Sequence, residues 1–170
     1  MASLLFGDAI DYKRVRIHAR RYMPFQPSNC AMTPNGHLYF HLSCFHDDYA
    51  QASISNQHWF IHEMAHVWQY QLGYAVRLRG AVRVGLSYAY DLAPGKTLAD
   101  YNMEAQGDVL ADYFVLRHHN YPQAMRQPGY AGSLPLYKQV LADFLANPAS
   151  VASLPGDWGR WLLNLKPARS

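Results

Sequence analysis

The run His62-Glu63-Met64-Ala65-His66 restricts the fold of this chain more than any other five residues. It is an H-E-x-x-H motif, and its chemistry requires a helix. Residues four apart then share a face, so two imidazoles point at one ion with Glu63 beside them. The surrounding pattern is helical from about Ser55 to Leu72. At about 100° per residue, Phe60, Ile61, Met64, Val67, Trp68 and Leu72 gather on one broad apolar face. His58, His62, His66 and Gln69 line the opposite side. Ser55 or Asn56 is placed to cap the start, and Gly73 to close the end.

Zinc catalysis needs three protein ligands, an open position for water, and a carboxylate to take the water's proton. Glu63 is placed for the last of these roles. A metzincin would continue with glycine at position 69 and histidine at 72, whereas this chain has Gln69 and Leu72. His58 lies on the ligand stripe but is about 12 Å of helix rise from His66, too far to share its ion. A gluzincin takes a glutamate from a later helix, and Glu104 is the chain's only other glutamate.

Glu104 opens Glu104-Ala-Gln-Gly-Asp108 on a second predicted helix, roughly Leu98 to His118. There Val109, Leu110, Tyr113, Phe114 and Leu116 form one buried face, and Glu104, Asp108, Ala111 and Val115 share a second, mostly small or apolar arc. A carboxylate on such an arc is costly to bury without a partner. A metal for Glu104 would offset that cost. Asp108 would accept the free N–H of His62 or His66 and fix its tautomer. The plainer alternative is an acidic helix start and two histidines facing solvent. Tyr88, Tyr90, Tyr101, His118 and His119 are the candidates for stabilising an oxyanion, and the spacing does not choose among them.

At 170 residues with half of them hydrophobic, the chain is read as one domain spanning 1–170 and as a monomer. The fold class is α+β: a mainly helical, zincin-like domain with a small β-sheet, its motif helix packed on the helix that carries the third ligand. Residues 13 to 18 and 37 to 42 read as strands that pair, residues 80 to 90 as a strand or ordered loop, and Pro135 to Leu145 as a third helix. Trp158, Trp161, Leu162 and Leu163 suggest a short docked tail. His37, His41 and His46 read as structural histidines, and Asp47-Asp48 as a turn. The net charge of +3 is scattered without a block of five or six like charges, which argues against nucleic acid. No apolar run approaches the roughly 18 residues of a membrane span. The N-terminus lacks the basic region of a secretory signal peptide, which predicts synthesis in the cytoplasm. Cys30 and Cys44 fit either a disulfide or two thiols, and neither has the C-x-x-C partner of a thiolate–zinc site.

Four blocks together extend the zinc motif: Tyr22-Met-Pro-Phe-Gln-Pro27, Ala31-Met-Thr-Pro-Asn-Gly-His-Leu-Tyr-Phe40, Phe60-Ile-His-Glu-Met-Ala-His-Val-Trp-Gln69 and Tyr101-Asn-Met-Glu-Ala-Gln-Gly-Asp108. Over about residues 6 to 115 the chain resembles the gluzincin-like metallopeptidase domain found as a C-terminal extension on type VI secretion spike (VgrG) proteins, and in stand-alone Vgr-related proteins. The resemblance implies Zn2+ held by His62, His66 and Glu104, with Glu63 as catalytic base. It also implies an antibacterial effector carried by the secretion machine to the target cell's periplasm, with a spike protein and a cognate immunity protein as partners. The substrate expected is a peptide or a peptidoglycan-type cross-link. Two alternatives remain: a non-catalytic, metal-binding accessory module of the spike, and a cytosolic housekeeping zinc peptidase.

Overall fold

The computed structural model describes residues 1–82 and 86–157. Its axis is a pair of long helices, α2 (Ile54–Gln71) and α4 (Met103–His119). They lie antiparallel, and three side-chain pairs record the register: His58 with Asp112, His62 with Asp108, and His66 with Glu104. Each step of four along α2 meets a step of four in the reverse direction along α4, so one stripe of each helix faces the other. Both stripes carry polar groups, and both helices are nevertheless buried on nearly every side.

The opposite face of α2 enters the apolar core as the spacing predicts. Ile61, Met64, Val67 and Trp68 are almost wholly buried. Trp68 packs on Phe6 of α1 (Ser3–Phe6) and edge-on to Phe144, and its indole N–H donates to the Pro148 carbonyl at 2.7 Å. Ser53, not Ser55 or Asn56, caps α2, its side chain accepting from the Asn56 N–H. Gly73 ends it at φ +94°, with Gly73 N–H bonded to the Tyr70 carbonyl and Tyr74 N–H to that of Gln69. That paired closure is a Schellman motif, and it needs the left-handed residue that glycine supplies.

Three short strands form a sheet in the order β1 (Ile17–His18), β3 (Leu38–Phe40), β2 (Ala31–Met32). β1 runs parallel to β3 and β2 antiparallel. The strands predicted over 13–18 and 37–42 do pair, but they shrink to two and three residues. Tyr12–Arg14 instead winds into a 3-10 turn capped by the Asp11 side chain. The Asn35-Gly36 turn between β2 and β3 sits against the end of α2. A Cβ on Gly36 would stand 2.5 Å from the Tyr70 ring, and Gly36 has φ +77°. The left-handed backbone and the nearby ring both favour glycine, which lets the hairpin pack against the motif helix.

Other boundaries depart from expectation for local reasons. The second helix begins at Met103, because Thr97 and Asp100 close a capping box around their own 3-10 turn and Asn102 then caps α4. The third helix divides into α5 (Leu134–Val140) and α6 (Ala142–Ala146) at Leu141. Within 80–90, α3 (Val76–Ala81) is helical and 86–90 is loop, so no strand forms among the described residues there. Cys30 and Cys44 are half-buried thiols rather than a disulfide, and the Cys44 thiol donates to the Ser28 carbonyl. Asp48 caps a 3-10 turn, as the turn reading requires. The tail tryptophans and leucines lie outside the described residues. No helix among the described residues is long and apolar enough to cross a membrane.

Candidate metal centre

Three side chains from α2 and α4 converge. His66 Nε2 is 3.2 Å from His62 Nε2, and Glu104 Oε2 is 3.3 Å from each of them. His62 and His66 come from successive turns of α2, and Glu104 from the first turn of α4, where the N-cap Asn102 accepts the N–H groups of Glu104 and Ala105. All three are largely buried; the Glu104 side chain, at 13% exposed, is the most open.

Their outward nitrogens show what the inward atoms carry. His62 Nδ1 lies 2.7 Å from Asp108 Oδ1. A carboxylate only accepts, so Nδ1 holds the proton and the neutral ring turns a lone pair inward on Nε2. His66 Nδ1 lies 2.8 Å from Gln69 Oε1. The Gln69 amide is oriented in turn, because its Nε2 donates to the Met103 carbonyl and to Gln106 Oε1. Gln106 is oriented by donating to the carbonyls of Leu98 and Ser153. Backbone carbonyls therefore fix the His66 tautomer through two wholly buried amides, and Nε2 of His66 also presents a lone pair.

Three lone pairs within 3.3 Å of one another repel unless a cation lies between them. Protons are one answer. Burial pulls the pKa of His62 down, yet the Asp108 and Glu104 carboxylates outweigh it and lift that pKa well above 6.5. His66 is also raised, its burial outweighed chiefly by Glu104. Burial pushes Glu104 up, but the two imidazoles hold it far below the usual carboxylate range. A divalent ion is the other answer, and the spacing suits one. Ligand atoms at about 2.0–2.1 Å around a tetrahedral zinc stand about 3.3 Å apart, which is the separation found here. Two imidazoles and one carboxylate form a donor set that zinc accepts, with a fourth position left over.

Glu63 lies on the same stretch of α2, 5% exposed, and its Oε2 accepts the Thr33 hydroxyl at 2.6 Å. Thr33 follows β2, so the hairpin held by Gly36 and Tyr70 also holds Glu63. Gly107 on α4 lets His62 approach: a Cβ there would stand 2.7 Å from Cε1 and Nδ1 of the ring. Asp108 joins His62 and not His66, whose partner is Gln69.

The five oxyanion candidates fall in different places. Tyr88 stacks on His62 with ring centroids 5.9 Å apart. The Tyr90 hydroxyl is engaged with Asp112 and Tyr137 inside the protein. The Tyr101 hydroxyl donates to the Asp91 carbonyl at 2.9 Å. His118 and His119 are at the far end of α4, about 21 Å of helix rise from Glu104, against Phe114. Only Tyr88 of the five is brought against a member of the triad by the described contacts. His58, predicted to be out of reach, meets Asp112 instead at 2.6 Å. The roles of Thr33, Gln69, Gly107 and Arg126 do not follow from the sequence, although Gln69 falls on the histidine stripe. Of these, only Gln69 carried a local signal, being three residues from His66 on one helix face.

No family model matches the chain. A curated protein and a solved structure do. It is 44% identical over 141 residues to the type VI secretion system spike protein VgrG2b of Pseudomonas aeruginosa, an alignment covering 79% of this chain. It also superposes on the solved effector domain of P. aeruginosa VgrG2b with a TM-score of 0.65 and 43% identity, covering 77% of this chain and 76% of that one. The chain belongs to the VgrG2b effector-domain family. It spans 14% of the length of the spike protein it matches, so this VgrG2b-type domain corresponds to one portion of that much longer relative.

Proposed function

We propose that this protein is a zinc-dependent peptidase or amidase, gluzincin-like in its ligand set, that acts as an antibacterial effector of a type VI secretion system. The observation that carries the reading is the convergence of His62 Nε2, His66 Nε2 and Glu104 Oε2 at tetrahedral spacing, with Glu63 alongside.

His62, His66 and Glu104 would hold the ion. Zinc, when bound, supplies Lewis acidity to a scissile carbonyl and to the attacking water. Glu63 accepts the water's proton and returns it to the leaving amine. The Thr33 hydroxyl occupies one lone pair of the Glu63 carboxylate and fixes its rotamer, leaving the other oxygen for the proton. Asp108 and Gln69 keep both ligand rings in the Nδ1–H tautomer, so neither must turn over when metal binds. Tyr88 forms a wall beside His62 and is the donor best positioned, of the five candidates, to meet an oxyanion.

Membership of the VgrG2b effector-domain family supports delivery by a spike protein, as part of it or docked on it, into the periplasm of a target cell. A cognate immunity protein in the producer follows from that role. Glu63→Gln separates catalysis from metal binding. The variant should retain zinc and lose both hydrolysis of periplasmic or cell-wall extracts and toxicity when directed to the periplasm. A Gln variant as toxic as the parent would leave the protein as a metal-binding accessory module instead. Expression with and without a periplasmic leader separates the effector from a housekeeping peptidase: the effector should harm cells chiefly when directed to the periplasm, and hydrolysis without that harm would favour the housekeeping enzyme.

A further inference from the structure

We propose that Arg126 binds a carboxylate of the peptide substrate beside the metal centre, with Tyr88 as the platform for its guanidinium; the proposal rests on the hydrolase reading above. The loop that carries Arg126 is bolted to α4. Wholly buried Asp112 accepts the backbone N–H groups of Arg126 at 2.5 Å and Gln127 at 2.9 Å, as well as His58 and the Tyr90 hydroxyl. The Arg126 guanidinium lies 5.7 Å from the centroid of the Tyr88 ring, close enough for a cation–π contact. Tyr88 itself stacks on the ligand His62. Arg126 Nε is 3.7 Å from Asp108 Oδ2, beyond hydrogen-bond length, and Asp108 Oδ2 has no hydrogen-bond partner among the described residues. The guanidinium is thus one carboxylate, that of Asp108, away from His62 of the triad.

Its backbone is tied down, yet its donors are unspent. The side chain is 57% exposed, and among the described residues its guanidinium makes no hydrogen bond. A planar fork of five N–H groups suits a carboxylate, which it can grip with two parallel bonds. The site also needs such a cation if its substrate is anionic. Glu104, Asp108 and Asp112 lie along the α2–α4 seam, with Glu63 beside it on α2, and would repel a second negative group; Arg126 is the arginine that the described contacts bring there.

If Arg126 only screened Asp108, it would alter the hold on zinc and leave ligand choice untouched. Simple thiols test the difference, because a thiolate is itself a zinc ligand. Binding of 3-mercaptopropionate, 4-mercaptobutanoate and 5-mercaptopentanoate to the zinc-loaded protein is measured by calorimetry against alkanethiols of matched length, with zinc content checked throughout. For at least one chain length the carboxylate should tighten binding by about tenfold or more, as a charge-assisted hydrogen bond allows. Arg126→Gln should abolish that advantage and leave the plain alkanethiol unchanged, and Arg126→Lys should restore part of it. An advantage that survives in Arg126→Gln, or that is absent from the wild type while alkanethiols bind, overturns the proposal alone. Loss of alkanethiol binding in Arg126→Gln marks the residue as a screen for Asp108 and also overturns it. Failure of every thiol to bind the wild type refutes the metal site, and the proposal falls with it.

Discussion

Replacing Gly107 by alanine should weaken the protein, although the same change in most helices strengthens it. Alanine in a helix interior is favoured over glycine by about 1 kcal/mol. Here the new methyl would stand 2.7 Å from Cε1 and Nδ1 of His62 and 3.1 Å from Cγ. Ordinary contact begins at 3.4 Å, so the ring or α4 must retreat by about 0.7 Å. The ring has little room to do so, because Asp108 holds Nδ1 at 2.7 Å and Tyr88 covers its face. Overpacking of this kind costs about 1–3 kcal/mol, which cancels the helix gain and exceeds it by up to about 2 kcal/mol. For a domain of this size each kcal/mol is about 2–4 °C of Tm. A displaced ligand ring should also weaken zinc by about 10–100-fold, the range seen when the groups that orient metal ligands are disturbed. Thermal unfolding with and without metal, together with a competition assay against a zinc chelator, reads both effects. A Gly107→Ala protein that is more stable by about 1 kcal/mol and binds zinc as the parent does would refute this account of the α2–α4 contact.

Two further outcomes are expected. Thr33→Val keeps the shape of the side chain but removes the hydroxyl that Glu63 accepts, so hydrolysis should fall by about tenfold or more while zinc affinity holds, and an unchanged rate would contradict the orienting role. Without metal, the raised pKa values of His62 and His66 add stability that is complete below about 6.5 and lost as pH rises through their folded values. The depressed Glu104 adds stability that is present above its usual 4.5 and lost as pH falls through its low folded value. Zinc needs both rings neutral and so releases their protons, which makes the zinc-induced rise in Tm grow from pH 5.5 to 8.5; a rise that shrinks with pH would contradict this.

Much of this arrangement was legible in the chain because the H-E-x-x-H spacing and the apolar period of α2 describe one and the same helix. Phe60, Ile61, Met64, Val67 and Trp68 could face the core only if His62 and His66 faced elsewhere. The cost of burying Glu104 and Asp108 without partners pointed to α4 as the other half, and the two helices do meet there. What stayed hidden depends on tertiary contacts. Thr33 reaches Glu63 across 30 residues through a hairpin whose β2 is only two residues long, too short to show a period. Gly107 looks like an ordinary helix glycine until the His62 ring is set beside it. Arg126 comes to the centre because buried Asp112 ties down its loop, and no spacing announces that. The spacing carries the start of α4 back to Leu98 because Leu98 to Asn102 is helix-compatible by propensity, whereas the Thr97–Asp100 box and the Asn102 cap divide that stretch from α4.

The central claim concerns one ion shared by side chains from two helices, and metal stoichiometry reads it most directly. Chelator-stripped protein, titrated with zinc and assayed by elemental analysis after gel filtration, should take up one equivalent in the wild type and in Glu63→Gln. Glu104→Gln and His66→Ala should retain little or none. Full occupancy in the Glu104 variant, or none in the wild type, would contradict the claim.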